Sequence, residues 1–264
     1  MSEQTITSLD VPAGRTPAAV IRKLTIDDLI ACLGAGLRDF VSAPDLGLFF
    51  GGVYAIGGIA LVTLFAYLEM PYIGYPLAMG FALVAPFVCA GCYEVSRLLE
   101  TEGPISWGAV LGAVWRRAGK ELGWLALVSV FTLIIWLDFA VFFFLLFYGL
   151  HVPDMREFVI GVFTTFRGFA FAMLGNLIGA AIGMFVFSIT VVSVPMLVDR
   201  DVDFITAMLT SARSVIANPV VMCVWAAMIG VLLAVSILSG FVGLFFILPV
   251  LGHASWHLYR RVVA

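Results

Sequence analysis

The chain has 264 residues, 62% of them hydrophobic and only 12% charged, with a formal net charge of −3. An average soluble domain carries about 25% charged residues, and a water-soluble chain this apolar would lack the polar surface to cover its core. The composition excludes an ordinary soluble protein and points to a polytopic membrane protein, while the small net charge gives no footing for a nucleic-acid partner.

In chain order, the first 23 residues are small, polar and proline-containing, without the apolar core of a signal peptide. They are expected to form a disordered cytoplasmic tail, with 24–264 as a single membrane domain whose first true span directs insertion. Next, "TIDDLIACLGAGLRDFVSAP" has Thr25 and Asp28 at capping-box spacing and apolar residues Ile26, Leu29, Ile30, Leu33 and Leu37 at helical intervals. That pattern predicts an amphipathic helix on the membrane surface over 25–41. About 20 apolar residues cross a bilayer as a helix. Leu46–Leu68 and Met70–Tyr93 are two such stretches, separated by Glu69.

A second surface helix is predicted over 105–119, with Ser106 as cap and Trp107, Val110, Leu111, Val114 and Trp115 on its apolar face. Between Glu121 and His151 only Asp138 interrupts a third span. The outer loop that follows is mildly amphipathic, and His151 in it is expected to be solvated. Gly168–Val198 is a fourth span, holding Asn176. A third surface helix follows over 203–216, with Asp203 as cap and Phe204, Met208, Ala212 and Val215 in register. Ser214–Gly252 is too long for one helix, and a turn at "SILSG" (236–240) divides it into spans five and six. Arg38, Arg117 and Arg213 fall ten or eleven residues after Asp27, Ser106 and Asp203.

The expected fold is therefore all-α: six transmembrane helices arranged as three repeats of interfacial helix plus hairpin, over 24–98, 104–198 and 203–261. With six spans, twelve basic residues lie on one side and only Arg156 and Arg167 on the other. Such an asymmetry places both termini in the cytoplasm. Pro86, Pro195 and Pro249 each precede a cytoplasmic exit. Three exits at similar depth would gather Cys89, Cys92, Glu94, Arg97, Asp199, Arg200, His253, His257 and Arg260 into one cluster.

"YEVSRLLETEGP", "LVDRDVDFITAMLTS" and "LPVLGHASWHLYR" together resemble the bacterial DUF2189 family of predicted integral membrane proteins, from about Leu24 to the C-terminus. The resemblance implies a multi-pass protein of the bacterial inner membrane. Some members are labelled cytochrome c oxidase components, which implies a respiratory partner. It implies no catalytic residue, and "CAGC" is not a feature of the family.

Asp138 is an ionisable residue within a span, and such residues mark proton or ion sites by default; its alternative is a hydrogen bond to a neighbouring helix. Asn176 reads as interhelical glue. Cys89 and Cys92 read as packing residues inside a span rather than a redox pair, and Cys32 and Cys223 complete a set without a secreted-type disulfide framework. Glu94 and Arg97 form an i,i+3 pair. His253 and His257, four residues apart, share a helix face. They could chelate one metal ion only with a third donor such as Cys92, Glu94 or Asp199; they read first as part of a polar helix end at the interface, with no metal and no cofactor. No Walker loop, dinucleotide fingerprint, GxSxG elbow or HExxH helix is present.

The leading expectation is a non-catalytic membrane protein, partnered by the bilayer and by other membrane subunits, as auxiliary or assembly partner of a larger complex. The alternatives are a small-solute or ion transporter using Asp138, and a metal- or haem-binding membrane protein built on His253 and His257.

Overall fold

A computed structural model describes residues 20–67, 71–150 and 153–263; most of the expected tail, and His151, lie outside them. The described residues form helices, and an isolated antiparallel bridge joins Ile21 to Val263.

Helix α1 (Ile26–Ser42) starts with the capping box read from the sequence: Thr25 accepts from the Asp28 amide, and Asp28 accepts from Thr25. It leads into α2 (Pro44–Tyr67). The next run is α3 (Pro71–Phe81), a 3-10 turn (Ala82–Val84), α4 (Ala85–Val88) and α5 (Ala90–Glu100). A surface helix α6 (Trp107–Ala118), capped by Ser106, precedes the long α7 (Glu121–Tyr148). The loop expected on the outer side folds as α8 (Met155–Thr164), capped by Asp154, before α9 (Phe166–Thr190) and α10 (Ser193–Asp199). Capped by Asp203, α11 (Phe204–Ala217) leads into α12 (Pro219–Leu238) and then α13 (Leu244–Val262). The turn between the last two covers 239–243, slightly later than "SILSG", with Gly240 and Phe241 at positive φ. Because the α1 cap is Thr25 rather than Asp27, α1 is longer than α6 and α11, and the even spacing from cap to Arg38, Arg117 and Arg213 does not hold.

Among the described residues, five stretches are long and apolar enough to cross a membrane: Pro44–Phe65, Pro76–Glu100, Glu121–Tyr148, Phe166–Asp199 and Pro219–Leu238. The sixth expected span does not meet that measure. The physical reason lies in α13 itself. Its second half carries His253, Ser255, His257, Arg260 and Arg261, and most of the helix is buried, from Leu244 and Leu248 to Trp256, Tyr259 and Val262. A helix sheathed by protein has no need of a lipid-compatible surface.

The sheath is built on small residues. α13 runs antiparallel to α2 and then along α1. A Cβ on Gly51 would lie 2.7 Å from the Phe245 carbonyl oxygen, and one on Gly36 would lie 2.5 Å from the Ala254 amide nitrogen. Only glycine permits that approach of backbones.

Two of the three exit prolines interrupt their helices. A proline nitrogen cannot bond the carbonyl four residues back. Before Pro86 the Ala82 carbonyl accepts instead from Ala85 through the 3-10 turn, and before Pro195 the chain breaks at Val191 and Val192. Pro249 lies inside an unbroken α13. Packing is tightest where the exits meet, around Trp225, Trp256 and Tyr259, all fully buried. α7 is peripheral: 17% of its apolar window is buried, against 44% in Pro76–Glu100.

Candidate functional site at the polar end

The helix ends that meet around α13 form a polar cluster. Its hub is a residue the spacing arguments passed over, Asp39. On α1 the buried positions Leu29, Cys32 and Gly36 make a stripe at intervals of three and four, and Asp39 continues it. α5 brings Ser96 and α13 brings His253 and His257 to the same point. His257 Nε2 lies 2.8 Å from Asp39 Oδ2, the Ser96 hydroxyl donates to the same oxygen at 2.6 Å, and Ser96 Oγ is 2.8 Å from His253 Nδ1.

These distances assign the protons. Ser96 has one hydroxyl proton, and it goes to the Asp39 carboxylate. Ser96 must then accept from His253, which places a proton on Nδ1. His253 Nε2 is left as a buried nitrogen without a partner among the described residues. Burial pushes the Asp39 carboxyl up, but the bonds from His257 and Ser96 and the charge of the two imidazoles outweigh it, holding the group below its usual range.

The order of groups matters chemically. A catalytic serine gives its proton to histidine, with the carboxylate behind the ring. Here the hydroxyl gives its proton to the carboxylate and Ser96 is fully buried. The row is a four-member brace across three helices.

The predicted exit residues join it through neighbours. Glu94, almost wholly buried, accepts from Arg97 Nε at 2.9 Å and Nη2 at 2.6 Å and from Arg117 Nη1 of α6 at 2.9 Å. Asp199 accepts the Tyr259 hydroxyl at 2.6 Å, with Arg260 at 3.4 Å and Arg200 at 3.6 Å. Arg260 also reaches Glu100 at 3.1 Å. Cys89 and Cys92 pack on α13, where a Cβ on Gly252 would meet both side chains at 3.1 Å, and the Cys89 thiol lies 3.8 Å from the Leu248 carbonyl. No three His, Cys, Asp or Glu side chains converge on a metal position among the described residues. His253 and His257 instead point to different members of the brace.

The start of the described chain is tied to the same end. Arg22 N–H donates to the Val262 carbonyl at 2.9 Å, and Asn218 Oδ1 accepts the Leu24 amide at 2.8 Å. Arg261 pairs with Asp28.

Asp138 and Asn176 lie elsewhere. Seventeen residues into α7, Asp138 is about 25 Å along the helix from Glu121. Both residues border a cavity of about 810 Å³ walled by α7, α8 and α9. Asn176 Nδ2 donates back to the Ala172 carbonyl of its own helix at 2.8 Å. A second cavity, of about 600 Å³, separates α9 from α12. Gly183 and Gly230 on its walls have no atoms within reach of an added Cβ.

Residues 74–199 match the family model DUF2189, described as a predicted integral membrane protein. "YEVSRLLETEGP" lies inside the match; "LPVLGHASWHLYR" and most of "LVDRDVDFITAMLTS" lie beyond it. No curated protein and no solved structure matches the chain. Over residues 74–199, just under half of its length, the chain is similar to DUF2189, a family of predicted integral membrane proteins.

Proposed function

We propose that this is a non-catalytic protein of the bacterial inner membrane that serves as auxiliary subunit or assembly partner of a larger membrane complex, with a respiratory oxidase the first candidate. The observation that carries the reading is the contrast between the two ends. Asp39, Glu94, Asp199 and Glu100 at the polar end are engaged in bracing helices, which suits a rigid platform. In the membrane, α9 and α12 stand apart across the cavity between them, and close approach of helices in lipid favours small residues such as those on its walls. The oxidase rests on the labels of the family it resembles.

The reading has six crossings, with α13 as the sixth, both termini cytoplasmic and three interfacial-helix units. The pairing of Ile21 with Val263 supports this, because two ends on one side of a membrane go with an even number of crossings. Five apolar stretches are odd in number; α13, returning antiparallel to α2, completes the sixth. Exposed apolar residues on α1 (Ile26, Ile30, Leu37), α6 (Trp107, Leu111, Trp115) and α11 (Ile205, Leu209, Ile216) support helices lying in the interface.

Purification of the full chain in mild detergent, with photo-crosslinkers at Gly183 and Gly230, tests the partner reading. Oxidase subunits in the eluate, crosslinked at those positions, are expected. Crosslinks to lipid alone on a solitary chain would defeat it. A second reading, transport of a small solute or ion, is favoured by Asp138 and Asn176 bordering one cavity.

A further inference from the structure

The cavity against α7, α8 and α9 combines features that a partner-binding scaffold does not use. At about 810 Å³ it falls within the usual size of ligand pockets. Its wall is largely aromatic, with Phe143, Phe144, Phe158, Phe163 and Phe171 among the lining residues. The rings of Phe144, Phe158 and Phe171 form a continuous cluster: Phe171 lies 5.9 Å from Phe158 and 6.4 Å from Phe144 between centroids. Among the described residues, Asp138 is the one acidic residue on that wall.

The carboxylate has no hydrogen bond or ion pair within the described residues. Asp138 is exposed at the wall of the cavity, and a carboxylate within an apolar span favours a counter-charge. Neither basic residue of this end supplies one: Arg156 and Arg167 do not line the cavity, and the Arg167 guanidinium lies over the Tyr148 ring, 5.5 Å from its centroid. That contact also shows a cation already seated on the same aromatic cluster, since Tyr148 stacks on Phe144. We propose that the cavity binds a lipophilic organic cation, with its charge against Asp138 and its apolar shell against the phenylalanine wall.

The chemistry separates this ligand from two others. A small inorganic cation needs several oxygen ligands to replace its water, and among the described residues the lining offers acidic or amide side chains only at Asp138 and Asn176. A lipid acyl chain would satisfy the rings but leave the carboxylate unpaired. Large, weakly hydrated cations satisfy both. The inference shares its cavity with the transport reading but does not require movement across the membrane.

The test uses the purified full chain and tetraphenylphosphonium in equilibrium dialysis, with neutral triphenylphosphine oxide as competitor. One saturable cation site per chain is expected, with the neutral probe weaker by about tenfold or more. Asp138→Asn should weaken the cation by about tenfold and leave the neutral probe unchanged. Phe163→Leu, at an exposed ring, should weaken the cation by about threefold at constant apolar bulk. Equal affinity for the two probes, absence of saturable binding, or unchanged cation affinity in Asp138→Asn would each overturn the inference. If Asp138→Asn does not fold, unchanged cation affinity in Phe163→Leu overturns it. Binding without uptake into proteoliposomes would defeat the transport reading alone.

Discussion

Asp39 holds α1, α5 and α13 together through one oxygen, which accepts from Ser96 and from His257. Asp39→Asn removes the charge and turns half of the head group into a donor facing donors. It should cost about 1–3 kcal/mol of stability, read as a lower midpoint of thermal unfolding in detergent. The pH dependence has a definite sign. A carboxyl depressed in the folded state adds stability that is fully present above its unfolded value of about 3.9, and that is lost as pH falls through the folded value. Asp39 is of this kind. The gap between wild type and Asp39→Asn should therefore be constant from neutral pH down to about pH 4 and close below it. A gap that widened in acid would contradict the brace. At this scale the sequence disclosed Glu94 with Arg97, because the pair is local. Asp39 and Ser96 stayed hidden, since their partners are 57 and 218 positions away.

Among the elements, α13 depends most on its surroundings. Gly36 lets α1 lie against its backbone, and Asp39 follows one turn later. Gly36→Val would force α1 away, at a cost of about 1–3 kcal/mol for overpacking. It should also pull Asp39 from His257, so the acid limb attributed to Asp39 should flatten in this variant too. Unfolding curves at several pH values check both. The caps of α1, α6 and α11 were legible, because capping is written in three or four neighbouring residues: Thr25 with Asp28, Ser106 and Asp203 each accept from the first turn. The helix breaks at Ala82–Val84 and at Val191–Val192 were foreshadowed by Pro86 and Pro195, whereas Pro249 bends no such break into α13.

For the whole molecule, the proposed topology makes a direct prediction. Single cysteines at Gly103 and Pro153, in a background lacking the four native ones, should react with impermeant reagent from opposite sides of the membrane. Position 103 should be cytoplasmic. Equal labelling of both from one face would overturn the six-crossing arrangement. In the proposed arrangement the ends paired at Ile21 and Val263 share one side of the membrane, so the labelling pattern bears on α13 as well.

Composition and apolar run length determined that this is a helical membrane protein, since a bilayer tolerates only helices of sufficient length or closed barrels. Local signals also determined the capped surface helices and the ion pair within α5. Tertiary structure alone decided that α13, read from the sequence as a span, is largely buried between Leu244 and Val262, because neighbouring helices supply its solvent. It alone decided that His253 and His257 belong to a brace rather than to each other, and that Asp138 borders an aromatic cavity. Periodicity shows which residues share a helix face; it carries no information about which distant helix will meet that face.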